Sequence, residues 1–189
     1  MKKSSIFRLS VLAVLIMFVS SCSQKSEYTN AIPANATQLV SINLKSLADK
    51  AGINDKENKE ALKKLTDAMK SGMNAATFQQ LESVMKDPSK SGIDVTAPVY
   101  LFSSPTFDYA TVVAKVSSED DLKNFLEVAQ KEQISSAITN GDGYSYTTIE
   151  GQALLAFNAN TFLVVNSNNP ANLDKIKEGI ATLLKQTEA

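Results

Sequence analysis

The chain has 189 residues, of which 19 are basic and 20 acidic, with one cysteine and with no histidine or tryptophan. Its single arginine, Arg8, lies in an N-terminal segment that we expect to be cleaved. These absences exclude a Ser–His–Asp triad, histidine-ligated or thiolate-ligated metals, thiol catalysis and disulfides in the mature chain. The balanced charge argues against a nucleic-acid-binding surface. Catalysis by carboxylates, lysine or serine stays open, and we expect no cofactor.

The first 21 residues have the three parts of a secretory signal peptide. Basic residues at positions 2, 3 and 8 precede an apolar run over residues 9–19, which only Ser10 interrupts. A permanent membrane-spanning helix needs about 20 apolar residues, and this run is much shorter. We therefore predict that residues 1–21 are a cleaved signal peptide.

A sequence that resembles a lipobox ends the apolar run: Val19, Ser20, Ser21 and Cys22. The two small residues fit the cleft of a signal peptidase, and the cysteine thiol receives the lipid. We predict that Cys22 becomes the first residue of the mature chain and carries acyl chains such as palmitate, which attach the protein to a membrane. The competing interpretation is ordinary signal cleavage before an unmodified cysteine.

The residues after Cys22 indicate which membrane the lipid enters. Ser23 stands where, by resemblance to known sorting rules, an aspartate favours retention in the inner membrane, so we expect the outer membrane. Segment 23–27 has one acidic residue instead of the acidic cluster of many surface-displayed lipoproteins, which favours the periplasmic side. Residues 22–30 are interpreted as a polar lipid tether, and residues 31–189 as a single domain.

Hydrophobic periodicity and turn residues predict the elements of that domain. We expect strands at 39–44, 98–104, 108–116, 144–149, 152–157 and 161–166, and helices at 46–51, 56–70, 75–86, 120–131 and from 169 onward. Their order indicates an α+β fold with a mainly antiparallel sheet. A β-α-β-β-α-β kernel within it suggests a split βαβ, ferredoxin-like sheet with an enlarged helical first crossover and an extra C-terminal hairpin and helix.

Three strand segments are apolar on both faces: 99–102, 154–157 and 162–165. Such runs are typical of strands that are buried on both sides. A split βαβ sheet has its helices on one side, so either the helices within 56–86 reach the second face or another domain or chain covers it. If they do not reach it, we expect this face to serve self-association or docking to another envelope protein.

Three short motifs resemble a known family. Residues 32–36 have the sequence Ile-Pro-Ala-Asn-Ala before a strand, residues 44–48 have Leu-Lys-Ser-Leu-Ala at a helix start, and Gly92-Ile93-Asp94 precedes an apolar strand. Segment 28–53 is similar to the opening of an uncharacterised Bacteroidetes lipoprotein family, domain of unknown function 4836. The resemblance implies a shared fold and a shared lipid-anchored location. It gives no information about an activity, because none is known for the family. Members of that family are expected to be longer, so this chain would correspond to their N-terminal part.

Three polar motifs have a chemical and a structural interpretation. Ser83 and Lys86 match S-x-x-K, but the S-D-N-like and K-T-G motifs that accompany it in penicillin-binding enzymes are missing, which favours a solvated pair. The acidic run 119–121 has the charge to bind a metal, yet its place at a predicted helix start favours capping, with Ser118 as N-cap. The loop 139–145 lacks the spacing of a calcium loop and is interpreted as a hairpin turn.

The aromatic residues also have two interpretations. Six of them cluster on predicted strands and turns: Tyr100, Phe102, Phe107, Tyr109, Tyr144 and Tyr146. Packing in the core is the preferred interpretation, and an aromatic platform for a ligand is the alternative.

Three functions remain open at this point. The first is a lipid-anchored, non-catalytic envelope protein that works through protein contacts. The second is an envelope binding protein for a small ligand such as a glycan or peptide, and the third is an enzyme that uses carboxylates or lysine. A filled core without a pocket favours the first of these over the second.

Overall fold

The computed structural model describes residues 27–52, 55, 58–105, 107–167 and 170–186. They form one sheet of seven strands: β1 Gln38–Ile42, β2 Val99–Ser104, β3 Phe107–Lys115, β4 Thr139–Asn140, β5 Ser145–Ile149, β6 Ala153–Phe157 and β7 Thr161–Asn166. The predicted signal peptide and lipobox lie outside the described residues. The combination of helices with an antiparallel sheet confirms the predicted α+β class.

Five α-helices accompany the sheet in the described residues: α1 Leu44–Lys50, α2 Lys59–Gly72, α3 Ala75–Lys86, α4 Glu119–Lys131 and α5 Leu173–Leu184. Short 3-10 helices cover Glu27–Ala31, Pro88–Ser91 and Pro170–Asn172. Side-chain oxygens cap three of the α-helices, from Asn43 at α1, Asn74 at α3 and Ser118 at α4. Each accepts a hydrogen bond from an N–H group that the helix start would otherwise leave unpaired. None of the described helices has the length and apolarity for a membrane crossing.

The predicted elements are present with small shifts at their ends. The bounds of α3 and β7 agree with the prediction. The strand predicted at 39–44 ends at Ile42, because Asn43 caps α1 and the helix begins at Leu44. The two-residue strand β4 was not predicted, since so short a segment carries no alternation and is ordered by pairing with β5.

The strands lie in the order β1-β2-β3-β7-β6-β5-β4, and every neighbouring pair is antiparallel. The predicted ferredoxin-like kernel is not confirmed. A split βαβ unit leaves room for another strand between the two strands that its crossover joins, whereas β1 and β2 pair directly. Ile42 at the end of β1 lies opposite Val99 at the start of β2. The three intervening helices therefore return the chain to the end it left, as in a long hairpin.

The first face of the sheet carries the main core. It is covered by α5, whose Ile176, Ile180 and Leu183 are at most 4% exposed. These residues pack against strand side chains that share this face, among them Phe102, Val113, Leu154, Leu163 and Val165. The core combines aliphatic and aromatic side chains, and the burial of this apolar surface stabilises the helix against the sheet.

The folded part of the chain begins earlier than the predicted boundary at residue 31. Tyr28, in the first 3-10 helix, is 3% exposed, and Ala31 and Ile32 are buried beside it. The Tyr28 hydroxyl donates a hydrogen bond to the Pro98 carbonyl oxygen at 2.8 Å. Residues 27–30, which the sequence assigned to the tether, thus belong to the domain. A single short turn carries too few apolar residues for periodicity to reveal it.

The second face of the sheet is covered by α4 over part of its area. Leu122 and Leu126 of α4 pack against Leu155 and Phe157 of β6. Helix α3 packs on α4, and α2 packs on α3. Leu101 of β2, which lies on this face, is 37% exposed, so the helices within 59–86 leave that part of the face uncovered.

Candidate functional site

One row of side chains crosses the second face from β1 to β5. Its members are Val40, Leu101, Val112, Val164, Leu155 and Thr147, each paired with the next across neighbouring strands. Residues directly opposite each other in antiparallel strands share a face, with Cβ atoms about 4.5–5.5 Å apart. We call this set the cross-sheet row.

Exposure rises along the cross-sheet row toward β1. Thr147 is 0% exposed, and Leu155, which lies under α4, is 5% exposed. Leu101 is 37% exposed and Val40 is 49% exposed, and Leu39 on the opposite face of β1 is 54% exposed. The row thus changes from core to surface, while its side chains from Leu155 to Val40 are all apolar. We call Leu39, Val40 and Leu101 the open end of the sheet.

The open end is also an open edge. One side of β1 pairs with β2, and among the described residues no strand pairs with the other side. A free strand edge presents N–H and C=O groups that can pair with another chain, and natural sheets protect such edges with charges, prolines, bulges or short strands. The opposite edge of the sheet is β4, which has only 2 residues. In contrast, β1 has 5 residues, Gln-Leu-Val-Ser-Ile, none of them charged.

A groove of about 400 Å³ separates α3 from α4, and Ser83 of the S-x-x-K motif lines it. The lysine of that motif has an acidic partner on the same helix. Lys86 forms an ion pair with Glu82, one turn earlier, at 3.0 Å between Nζ and Oε1. Lys86 is therefore paired with Glu82 at the surface of α3.

The acidic run 119–121 begins α4. Ser118 Oγ accepts a hydrogen bond from the Asp121 N–H at 3.2 Å, and Glu119 forms an ion pair with Lys123 at 2.7 Å. Within the part of the chain that the structure describes, no three metal-ligating side chains lie close enough to hold an ion. The capping interpretation is confirmed.

A second groove, of about 520 Å³, lies between the loop 140–145 and the turn 158–160 and is mostly polar. Asn158 Oδ1 accepts hydrogen bonds from the N–H groups of Asn160 and Thr161, at 3.0 and 2.9 Å. This wall of the groove is therefore held by an internal turn. The groove is broad and open, and Tyr144 and Asn140 line its other wall.

Residues 141–144 join β4 to β5, which confirms the predicted hairpin turn. Ser145 Oγ donates a hydrogen bond to Asn140 Oδ1 at 3.1 Å. The Asp142 carboxylate forms an ion pair with Lys185 at 2.6 Å, and this hydrogen bond lowers the pKa of Asp142. Two of the oxygens that resembled calcium ligands, Asn140 Oδ1 and Asp142 Oδ2, are thus bonded within the protein.

The aromatic cluster belongs to the first face, which confirms the core interpretation. Phe102 and Phe107 are 1% and 6% exposed, and the four tyrosines are partly buried around the same core: Tyr100, Tyr109, Tyr144 and Tyr146. The Phe107 and Tyr109 rings meet edge to face with centroids 5.4 Å apart. Lys177 Nζ lies 5.4 Å from the centre of the Tyr146 ring, a cation–π contact at the rim of the core.

A protein-family model described as Domain of unknown function (DUF4836) matches residues 28–189. The chain belongs to this family. The match includes every described strand and α-helix, so the family likeness extends over the whole domain and well beyond the opening motifs. No curated protein and no solved structure matches the chain.

The Gly92-Ile93-Asp94 motif of this DUF4836 chain positions α4. Gly92 has a φ of 80°, and a Cβ there would overlap the Leu122 nitrogen and the Ser118 carbonyl oxygen. The Gly92 carbonyl oxygen accepts a hydrogen bond from the Ser117 N–H at 2.8 Å. Only glycine combines this backbone conformation with so close an approach. The motif thus positions α4, the helix that covers Leu155 and Phe157 on the second face.

Asp94 fixes the same segment to β3. Its carboxylate accepts hydrogen bonds from Thr96 Oγ1 at 2.6 Å and from Lys115 Nζ at 3.0 Å. The bond from Thr96 and then the bond from Lys115 hold the pKa of Asp94 at about 2. This carboxylate therefore has a structural role at the start of β2.

The open end of the sheet could be foreseen only in outline. Segment 99–102 was expected to be apolar on both faces, and it includes Leu101. Strand β1 was predicted with one apolar face, and nothing marked it as an edge. One signal was present, because residues 31–44 contain no charged side chain. A strand without charged residues, in a chain that has many, is typical of a segment that pairs with another strand or packs in an apolar contact.

Proposed function

We propose that this DUF4836 protein is a lipid-anchored cell-envelope protein that has no catalytic role and works through protein contacts at the open end of its sheet. The main support is the exposure of Val40 and Leu101 in a row whose other end lies in the core. Large apolar side chains that adjoin on the surface of a folded domain mark interaction sites. A free strand edge beside them adds backbone groups that a partner can pair with.

The anchor in this proposal is Cys22, in the outer membrane with the domain on the periplasmic side. Mass spectrometry of the mature N-terminus tests it, with Cys22→Ser as the variant. An acylated Cys22 at the N-terminus supports the anchor, and Cys22→Ser should then leave the protein unprocessed or unlipidated. A mature chain that begins unmodified at another residue contradicts it.

Non-catalytic action is supported by the state of three charged groups that belong to the motifs described above. Lys86, Asp94 and Asp142 each form an ion pair at the surface or in the scaffold. A catalytic acid or base is usually held in a cleft with its pKa shifted toward the working pH. Asp94 has a pKa shifted the other way, to about 2, so it stays ionised at neutral pH.

A small-ligand function is the second candidate, and the polar groove beside the loop 140–145 favours it. Tyr144 lines this groove. Thermal melts with soluble envelope glycan fragments test this function, using Tyr144→Ala as the groove variant and Tyr109→Ala as the aromatic control. Under the protein-contact function, the fragments leave the melting temperature of the unsubstituted chain unchanged.

The contact surface can be tested by cysteine labelling in intact envelopes. Val40→Cys and Leu101→Cys place a thiol in the open end, and Leu65→Cys places one on α2, where the side chain is 53% exposed. A membrane-permeant maleimide is applied to intact envelopes and to dilute detergent-solubilised protein. The unsubstituted chain gives the background from Cys22.

The proposal expects labelling at positions 40 and 101 to be slower in envelopes than in dilute detergent, relative to position 65. A partner that excludes water from the open end would slow the reaction at these two sites alone. If all three positions react in the same proportion under both conditions, the open end is not a contact surface.

A further inference from the structure

The free edge of β1 indicates what kind of partner the open end takes. We propose that the partner is β1 of a second copy of this chain, paired antiparallel so that the two sheets become one. The inference rests on the proposed function, because it names the occupant of the same surface. A twofold axis would pass through the sheet beside Val40.

The shape of the surface favours a strand over a helix or a loop. β1 presents a row of backbone donors and acceptors on its outer side, with apolar side chains exposed on both of its faces, Leu39 at 54% and Val40 at 49%. A strand added along the edge satisfies the backbone groups and covers side chains on both faces together. A helix laid on one face would leave the edge and the other face uncovered.

The sequence of β1 favours a copy of itself as that strand. In an isologous pair the same residues meet across the axis. All five residues of Gln38–Ile42 are paired only in the register centred on Val40. In that register Val40 lies opposite Val40 of the second copy, and Leu39 lies opposite Ser41. Since opposite residues share a face, the two sheets join with their second faces on the same side.

The cross-sheet row then becomes continuous through the axis. It runs from Leu101 to Val40 in one copy and from Val40 to Leu101 in the other, so that the four exposed members of the row adjoin. Each copy thereby supplies the apolar neighbours that the other lacks. An unrelated strand would need a matching apolar residue at this one position.

Charge poses no obstacle to this pairing. Residues 31–44 contain no charged side chain in either copy, so no like charges meet along the new pair of strands. Edge strands that avoid self-pairing commonly carry lysine on the edge. The segment lacks such a residue over its whole length.

Symmetric disulfide formation tests the inference in the full chain in envelopes. Val40→Cys should give a covalent dimer on mild oxidation, because directly opposite Cβ atoms in antiparallel strands lie about 4.5–5.5 Å apart. Leu65→Cys is the control, with similar exposure on α2. We expect about tenfold more dimer from Val40→Cys than from Leu65→Cys, since a disulfide needs Cβ atoms within about 4.5 Å and tolerates little displacement.

The register is tested by mixed expression of two differently tagged chains. Leu39→Cys in one and Ser41→Cys in the other should give a mixed dimer, because these positions are opposite each other. Leu39→Cys alone should give far less dimer, because its two copies are offset by two residues, at about 7–8 Å. Equal yields would overturn the proposed register and with it the isologous pairing.

The outcomes separate this inference from the proposed function. If Val40→Cys forms no more dimer than Leu65→Cys while labelling at position 40 is still slowed in envelopes, the partner is another protein and only the inference is overturned. If neither effect is found, both are overturned. A lysine at the axis offers an independent check, because Val40→Lys places like charges opposite each other and should weaken self-association at least about fivefold, whereas Leu65→Lys should not.

Discussion

The two ends of the second face differ in cover and hardly at all in sequence. At the β6 end, Leu155 lies under α4 and is 5% exposed, while at the β2 end Leu101, in the same row, is 37% exposed. Both belong to strands whose residues are apolar on both faces. A strand that is apolar on both faces therefore marks a sheet face that another element or chain must cover. Where α4 packs decides which part of that face the chain covers itself.

The largest expected difference comes from truncating the same side chain at the two ends. Leu155→Ala should lower the free energy of unfolding by about 3 kcal/mol, because a buried leucine leaves a cavity. Leu101→Ala should lower it by less than about 1 kcal/mol in the monomer, because its side chain is already partly in water. Urea unfolding at low protein concentration measures both. Equal losses would mean that the open end is covered within one chain.

Displacing the helix that covers the closed end should have the next largest effect. Gly92→Ala combines a φ of 80° with overlap against the backbone of α4. Gly151→Ala is the matched control, since Gly151 has a φ of 66° and no atom near the position of the new Cβ. The backbone conformation alone costs about 1 kcal/mol, so Gly92→Ala should be destabilising by about 2 kcal/mol beyond the control. Thermal melts that move equally for both variants would refute the close approach.

Asp94 adds a pH dependence to the segment that precedes β2. Its pKa of about 2 in the folded state lies below the ordinary value of 3.8. The carboxylate therefore stabilises the fold above pH 3.8, and this contribution of about 1–2 kcal/mol is lost as the pH falls toward 2. Asp94→Asn should flatten that part of the stability curve. Urea midpoints at pH 5 and pH 2.5 measure the change, and an unaltered slope in the variant would show that other carboxyls carry it.

Tyr28 provides the smallest effect, on the covered first face. Burial, followed by the neighbouring Tyr100, raises the pKa of Tyr28 to about 12. Its contribution to stability is thus complete below pH 10 and is lost as the pH rises through 12. Tyr28→Phe removes the hydrogen bond to Pro98, at a cost of about 1 kcal/mol near neutral pH, and also removes this alkaline loss. Identical alkaline unfolding profiles of the two proteins would contradict the assignment.

The elements could be predicted well because their signals are local. Helix α3 was predicted with its observed bounds, because its apolar residues recur at helical spacing and Pro88 follows its end. The pairing of β1 with β2 could not be predicted, because it depends on where the three helices between them pack. Tyr28 was missed for a similar reason, since a single 3-10 turn has no periodicity and is ordered by the core beneath it.

The open end of the sheet could be predicted only in part. Because segment 99–102 is apolar on both faces, we expected a sheet face that would be exposed if the helices within 56–86 did not reach it. Leu101, on that face, is 37% exposed. Val40 was assigned to an ordinary half-buried strand, because its position at the edge is a property of the sheet order and has no local signal. Family membership added the extent of the domain and left its contacts open.

Hydrogen exchange of the β1 amides is the most direct test of whether the open end of the sheet is a contact surface. The full chain is compared at high density in its envelope and at low concentration in detergent, with exchange followed over residues 38–42 and, as an internal reference, over residues 161–166 of the central strand β7. If the open end is a contact surface, the outward-facing amides of β1 should exchange about tenfold more slowly in the envelope, as expected for about 1.4 kcal/mol of added protection, while β7 stays unchanged. Exchange of the β1 amides at the same rate under both conditions would contradict a contact at the open end of the sheet.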